Sequence, residues 1–191
     1  MTLRLAWHGI VCVLGIATAT ATSAAAAADV SLTVTDWDGV QQRIAKERGQ
    51  IVVVDIWTTT CGKCLTELPK FHALAKKHED VVWMTVACDY DGIPGKPPTY
   101  YRDGVLKVLR KHGRMTDNVL LSDPFLDFLD QIDLSSTPAV LVYGRDGKLA
   151  RRFDNDDART QKAEFTTESV EAFVEDLQDE AQTNQAEPSA R

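Results

Sequence analysis

The chain has 191 residues, of which 44% are apolar and 26% charged, and its formal net charge is −7. That length suits one domain with short appendages and buries a core without disulfide staples. The acidic balance excludes nucleic acid as a partner, because phosphate binding needs clustered Lys and Arg, and the ordinary composition excludes disorder or membrane residence along the whole chain.

Arg4 is the only charged side chain before Asp29. An apolar run follows over residues 10–16, then an Ala/Thr/Ser stretch that ends in alanines at 24–28. This order predicts a secretory signal peptide over residues 1–28, hence an exported, periplasmic protein. The rival is a retained membrane anchor, which the weakly apolar second half of the stretch disfavours. Val11 stands before Cys12 where a lipoprotein signal wants a small residue. Cleavage leaves Cys61, Cys64 and Cys88, an odd count that fits one working pair plus a separate thiol. Cys88 follows a strand-like run and reads as a buried, inert cysteine. Residues 29–180 are then the folded domain, and 181–191 a polar, flexible tail.

From the N-terminal side, residues 30–34 alternate polar and apolar and predict a short edge strand. A helix is expected over 37–48, with Val40, Ile44 and Ala45 inward and Gly49 as its stop. Residues 51–57 form a β-branched run typical of a strand buried on both faces. A threonine loop at 58–60 leads to Cys61-Gly62-Lys63-Cys64. Helical spacing resumes with Leu65, Leu68, Phe71 and Leu74 and closes in Lys76-Lys77-His78. Residues 81–87 predict a second buried strand, and 89–98 a Gly/Pro loop, either a partner contact or a plain surface excursion. A helix over 99–111, a short apolar run at 119–121 and a short helix at 125–132 come next. Thr137-Pro138 opens a strand at 139–143, a Gly144-Arg145-Asp146-Gly147 turn leads into 148–153, and a last helix covers 167–180. Parallel crossovers followed by an antiparallel pair imply an α/β fold with a central mixed sheet and helices on both faces.

A C-x-x-C directly after a buried strand, at the start of a helix, has a physical rationale. The helix N-terminus offers free N–H groups and partial positive charge, which stabilise a thiolate. Cys61, at the helix start, is the expected nucleophile, and Cys64, about one turn on, lies within disulfide reach to resolve a mixed disulfide. Lys63 adds a nearby cation. Zinc would need two more ligands, and Cys88, His72, His78 and His112 form no second paired motif, so no metal and no cofactor beyond the cysteine pair are expected. A copper-binding use of the pair stays open.

The stretch from Val54 through Cys61-Gly62-Lys63-Cys64 to Glu67 and Pro69 resembles the thioredoxin superfamily active site. It is most similar to the exported TlpA/ResA/CcmG branch, whose C-x-x-C-x-x-E-x-P extension Glu67 and Pro69 meet. Thr137-Pro138 resembles the family's cis-proline segment, and the likeness covers about residues 35 to 178. It implies a thioredoxin fold and a thiol-disulfide oxidoreductase with protein substrates, and no cofactor other than a Cys61–Cys64 disulfide. By that resemblance Asp55 is a buried carboxylate moving the proton of the second thiol, although a strand-ending hydrogen bond is its plainer role. Glu67 matches the branch's acidic residue near the pair, or is an exposed helix-face charge. Thr137 and Pro138 would meet an extended substrate, and Trp57, which matches an aromatic beneath the site, is placed with them as a substrate contact, packing being its plainer role. Reduction is the implied direction, with a membrane electron donor for recycling, monomeric action, and cytochrome c maturation as one service. Thr60 replaces the usual aromatic before the first cysteine, and Lys63 stands where thioredoxin has proline. Both changes bear on the thiolate, so an oxidase working in reverse and a thioredoxin-fold copper protein remain the alternatives.

Overall fold

The computed structural model describes residues 30–112, 115, 117–154 and 164–186, with side chains through 180. The expected signal peptide, 1–28, lies outside them. Six strands form one sheet: β1 (Thr33–Thr35), β2 (Ile51–Trp57), β3 (Val81–Ala87), β4 (Asp117–Leu121), β5 (Ala139–Tyr143) and β6 (Leu149–Phe153). Their order is β1-β4-β3-β2-β5-β6. β1, β4, β3 and β2 run parallel, while β5 is antiparallel to β2, and β6 to β5. The α/β expectation of a mixed sheet holds, and it follows from the buried runs: all seven residues of β2 are buried, as befits its central place.

The helices are α1 (Trp37–Lys46), α2 (Gly62–Lys77), α3 (Arg102–His112), α4 (Phe125–Gln131) and α5 (Thr167–Ala186). β2 sorts them by its alternation. Val52, Val54 and Ile56 share a core with Trp37, Val40 and Ile44 of α1 and Phe128 of α4. Ile51 and Val53 meet Phe71 and Leu74 of α2 and Val170 and Val174 of α5. Trp57 joins Cys64 and Leu68 of α2 and Val105 and Leu109 of α3. One face of the sheet therefore carries α1 and α4, and the other α2, α3 and α5. Odd residues of β2, Asp55 and Trp57 included, face the helix that begins at the cysteines.

Local chemistry sets the ends. Asp36 caps α1 by accepting the Gly39 N–H at 2.8 Å. The inward set of α1 is Trp37, Val40 and Ile44; Ala45, expected among them, is exposed. The hairpin turn between β5 and β6 relies on Gly147 at φ 76°, a backbone state that glycine adopts without strain. The helix expected over 99–111 begins instead as a tight 3-10 turn, Pro98–Tyr101, before α3. α5 runs on to Ala186, past the expected end at 180, because residues 181–186 hold neither Gly nor Pro. Among the described residues, no helix is long and apolar enough to cross a membrane. Phe71, fully buried between α2 and the sheet, tests this packing: Phe71→Ala should cost about 3–5 kcal/mol. Its urea midpoint should fall with the slope unchanged.

Candidate functional site

The site forms where β2 ends and α2 begins. After Trp57 the chain turns through Thr58-Thr59-Thr60, and the Cys61 N–H donates to the Thr58 carbonyl at 3.2 Å. Cys61 is the N-cap of α2: its backbone is extended, and its sulfur accepts the Cys64 N–H at 3.1 Å. Sulfur thus occupies the place where capping oxygens usually satisfy the unpaired N–H groups of a first helical turn. A thiolate there gains the most from the helix dipole. Cys61 and Cys64 are joined as a disulfide, S–S 2.02 Å with Cα atoms 5.2 Å apart. Cys61 is half-buried, while Cys64 is only 3% exposed, so an incoming group reaches Cys61 first.

Asp55 lies inside β2, not at its end, and is buried on the face covered by α2. Burial pushes its carboxyl up to about 7, and the nearby Glu67 carboxylate adds to the rise. A carboxyl poised there can take or give a proton near neutrality. Glu67, on the second turn of α2, is not a loose surface charge. Its carboxylate accepts the Thr167 hydroxyl from α5 and the Lys70 ammonium at 3.0 Å. Trp57 requires a correction. It is fully buried beside Cys64 and Leu68, so it packs under the pair and presents no surface to a substrate. The Thr137–Pro138 bond is cis, with Thr137 half-buried and Pro138 buried. Because Ile56 pairs with Ala139, that segment lies at the same end of the sheet as the cysteine loop.

Three residues were missed in the sequence. Asp89 holds the threonine loop, accepting the Thr59 N–H at 2.9 Å and the Thr59 hydroxyl. Burial raises its carboxyl, and the Thr59 bonds act against the rise. The pairing of Trp57 with Ala87 places the ends of β2 and β3 side by side, so a strand register would have exposed this contact. Glu164 and Thr167, which meet Lys63 and Glu67 across about a hundred residues, carry no local signal at all. Cys88 is buried as expected. Burial, with Asp89 next in weight, pushes its thiol well above the ordinary value, which leaves it unreactive.

Among the described residues, one group has the makings of a metal site: His78, Glu171 and Glu175, whose donor atoms lie within 4.8 Å of one another. The Lys77 ammonium already joins both carboxylates, at 2.6 and 2.9 Å. It lies at the far end of α2 from the cysteines, about 24 Å along a helix of this length. The group ties α2 to α5 and has no part in the chemistry of the pair.

A central mixed sheet with a disulfide-forming cysteine pair at the start of its main helix defines a thioredoxin-fold protein of the thiol-disulfide oxidoreductase class. The Redoxin family model matches residues 21–172, and the chain belongs to that family. The human thioredoxin domain-containing protein 2 is 53% identical over 45 residues, 23% of this chain. The match spans only 8% of that relative's length. A thioredoxin H-type of Brassica campestris is 32% identical over 95 residues, covering 46% of this chain and 76% of its own. Among solved structures, a secreted Mycobacterium tuberculosis disulfide oxidoreductase homologous to E. coli DsbE shares the fold at 19% identity and a TM-score of 0.52. That likeness covers 70% of this chain and 86% of the other. These likenesses are consistent with the TlpA/ResA/CcmG resemblance of the sequence.

Asp55 yields a prediction with a defined sign. Its folded value, about 7, exceeds the ordinary 3.8, so between those values the native state holds a proton that the unfolded chain has released. The stability it contributes is complete below pH 4 and is lost as pH rises through 7. Asp55→Asn should therefore stabilise the oxidised protein at pH 7.5 by roughly 2–4 kcal/mol and give no such gain below pH 4. Urea unfolding at the two pH values measures it; an equal change at both would remove the buried ionisation.

Proposed function

We propose that this protein is an exported, periplasmic thiol-disulfide reductase that acts as a monomer on the disulfides of other proteins. The observation that carries the reading is the Cys61 sulfur seated as the cap of α2, more accessible than its buried partner Cys64. In the reduced protein the Cys61 thiolate attacks one sulfur of a substrate disulfide. That S–S bond breaks, its second sulfur leaves as a thiolate and takes a proton from water, and a Cys61–substrate disulfide forms. Asp55 then accepts the Cys64 proton. The Cys64 thiolate attacks the Cys61 sulfur, the substrate leaves reduced by two electrons, and the Cys61–Cys64 disulfide remains. Glu67, beside Asp55, biases that carboxyl toward holding its proton. Thr137 offers its backbone to an extended substrate segment, and Pro138 borders it.

A membrane dithiol donor restores the reduced pair, and cytochrome c maturation is one setting for such a reductase. Residues 1–28 direct export, and residues 29–180 constitute the working domain. Lys63 favours the oxidase alternative by stabilising the thiolate, but its ammonium is engaged by Glu164, which supports reduction. In an insulin-type reduction assay, Cys61→Ser should lose activity by at least a hundredfold, on the order expected when a nucleophile is removed. Cys64→Ser should instead accumulate a covalent mixed disulfide, visible on a non-reducing gel. Unchanged turnover in Cys61→Ser would sink the proposal. An equilibrium with glutathione that strongly favours the dithiol would turn it toward oxidation.

A further inference from the structure

Two polar contacts reach the first turns of α2 from one short segment. Glu164 meets the Lys63 ammonium, and Thr167 donates its hydroxyl to Glu67. The segment is itself anchored. Phe165 is 6% exposed in the core, with its ring 6.1 Å from Phe153, and it lies under Lys63 at 5.4 Å. Thr166 caps α5, its hydroxyl accepting the Ser169 N–H at 3.2 Å while its own N–H donates to the Ser169 hydroxyl at 3.1 Å. Thr167 is buried. Its two flanking contacts thus act on side chains that stand two and six residues beyond the nucleophilic sulfur.

We propose that residues 164–167 form a strap over the start of α2 that holds Lys63 through Glu164 and Glu67 through Thr167, and so sets how readily the cysteine pair is reduced and resolved. The inference rests on the oxidoreductase reading and names positioning residues, not catalytic ones. Its logic is electrostatic. A free ammonium at Lys63 would stabilise the Cys61 thiolate and hence the reduced form; joined to a carboxylate and laid over a ring, it presents the sulfur with a weaker field. As a fold-stabilising ion pair it matters little, being 30% and 63% exposed at its two ends. On the other arm, Glu67 is, among the described residues, the charged neighbour that raises the Asp55 carboxyl. The groups facing Glu67 are the Thr167 hydroxyl, the Lys70 ammonium and Asp55, and Glu168 in turn faces Lys70. Removing the Thr167 hydroxyl frees Glu67 to turn away and lowers the proton affinity of Asp55.

The experiment is a pair of double-mutant cycles on the full protein, read by equilibration with glutathione and by the pH profile of protein-disulfide reduction. Glu164→Gln should shift the equilibrium toward the dithiol by about three- to tenfold, which is about 15–30 mV. It should lower the Cys61 thiol pKa by ultraviolet thiolate absorbance, and it should do neither in a Lys63→Gln background. Thr167→Val should move the rising limb of the pH profile to lower pH, Thr167→Ser should restore it, and neither should act in a Glu67→Gln background. Glu164 is exposed, so its variant leaves the core intact. With a wild-type protein that equilibrates with glutathione, an unchanged equilibrium in Glu164→Gln or an unmoved pH profile in Thr167→Val overturns the strap, as does an effect of Glu164→Gln that persists without Lys63. A wild-type protein that does not exchange with glutathione at all overturns the oxidoreductase reading instead.

Discussion

The seat of Cys61 at the N-cap of α2 is the constraint on which the other features of the site depend. A strand buried along its whole length must end before its chain can turn, and the helix that returns over the sheet must begin with unpaired N–H groups. Placing sulfur at that junction gives those groups an acceptor and gives the sulfur a stabilised anionic form. The spacing to Cys64 follows from the helix: one turn on, the second sulfur is brought beneath the first, where Trp57 and Leu68 shut out water. In the proposed reaction, exposure of one sulfur and burial of the other separates attack from resolution. That division of labour is geometric before it is chemical.

Burial then creates a difficulty that the fold meets locally. In the proposed reaction the buried thiol gives up its proton to a base, and the odd-numbered face of β2 carries Asp55 on the side covered by the same helix. A carboxyl in that position is a poor choice for stability, since its charged form has lost water without gaining a cation; the neighbouring charge is Glu67, of the same sign. The molecule therefore carries a destabilising group at the position where the proposed reaction would use a base, and the extensive apolar packing on both faces of the sheet offsets it. Asp89 plays a quieter part. It fixes the threonine loop from the adjacent strand end, so that the polar turn before Cys61 is braced although it carries no apolar anchor.

The charged side chains of α2 illustrate how a local motif is completed from afar. Lys63 and Glu67 stand on the helix because the sequence puts them there, yet their partners arrive from the entry to α5. At the opposite end of α2, Lys77 and His78 are likewise met by Glu171 and Glu175 of α5. One helix thus accompanies the other from the active end to the far end, with Phe71 and Leu74 against Val170 and Val174 between them. Contact between α5 and the helix that carries the cysteine pair is a consequence of that packing.

What the residues determined alone is whatever depends on short-range pattern. The runs of β2 and β3 signalled buried strands and that of β5 a strand, the three-residue spacing of Leu68, Phe71 and Leu74 signalled the covered face of α2, and the C-x-x-C after a strand signalled both the helix start and its chemistry. The turn at Gly147 was legible for the same reason. Element ends were read less well: α5 continued where nothing stopped it, and Ala45, too small to decide a face, was placed inward though it is exposed. Trp57 was given a substrate contact, whereas full burial confines it to packing. Tertiary structure alone decided which strands lie side by side, and so that Asp89 braces the threonine loop, that Asp55 and Glu67 approach each other, and that Glu164 and Thr167 reach α2. Such contacts join residues from a dozen to a hundred positions apart, and their partners are ordinary surface types until topology brings them together; sequence periodicity holds no record of them.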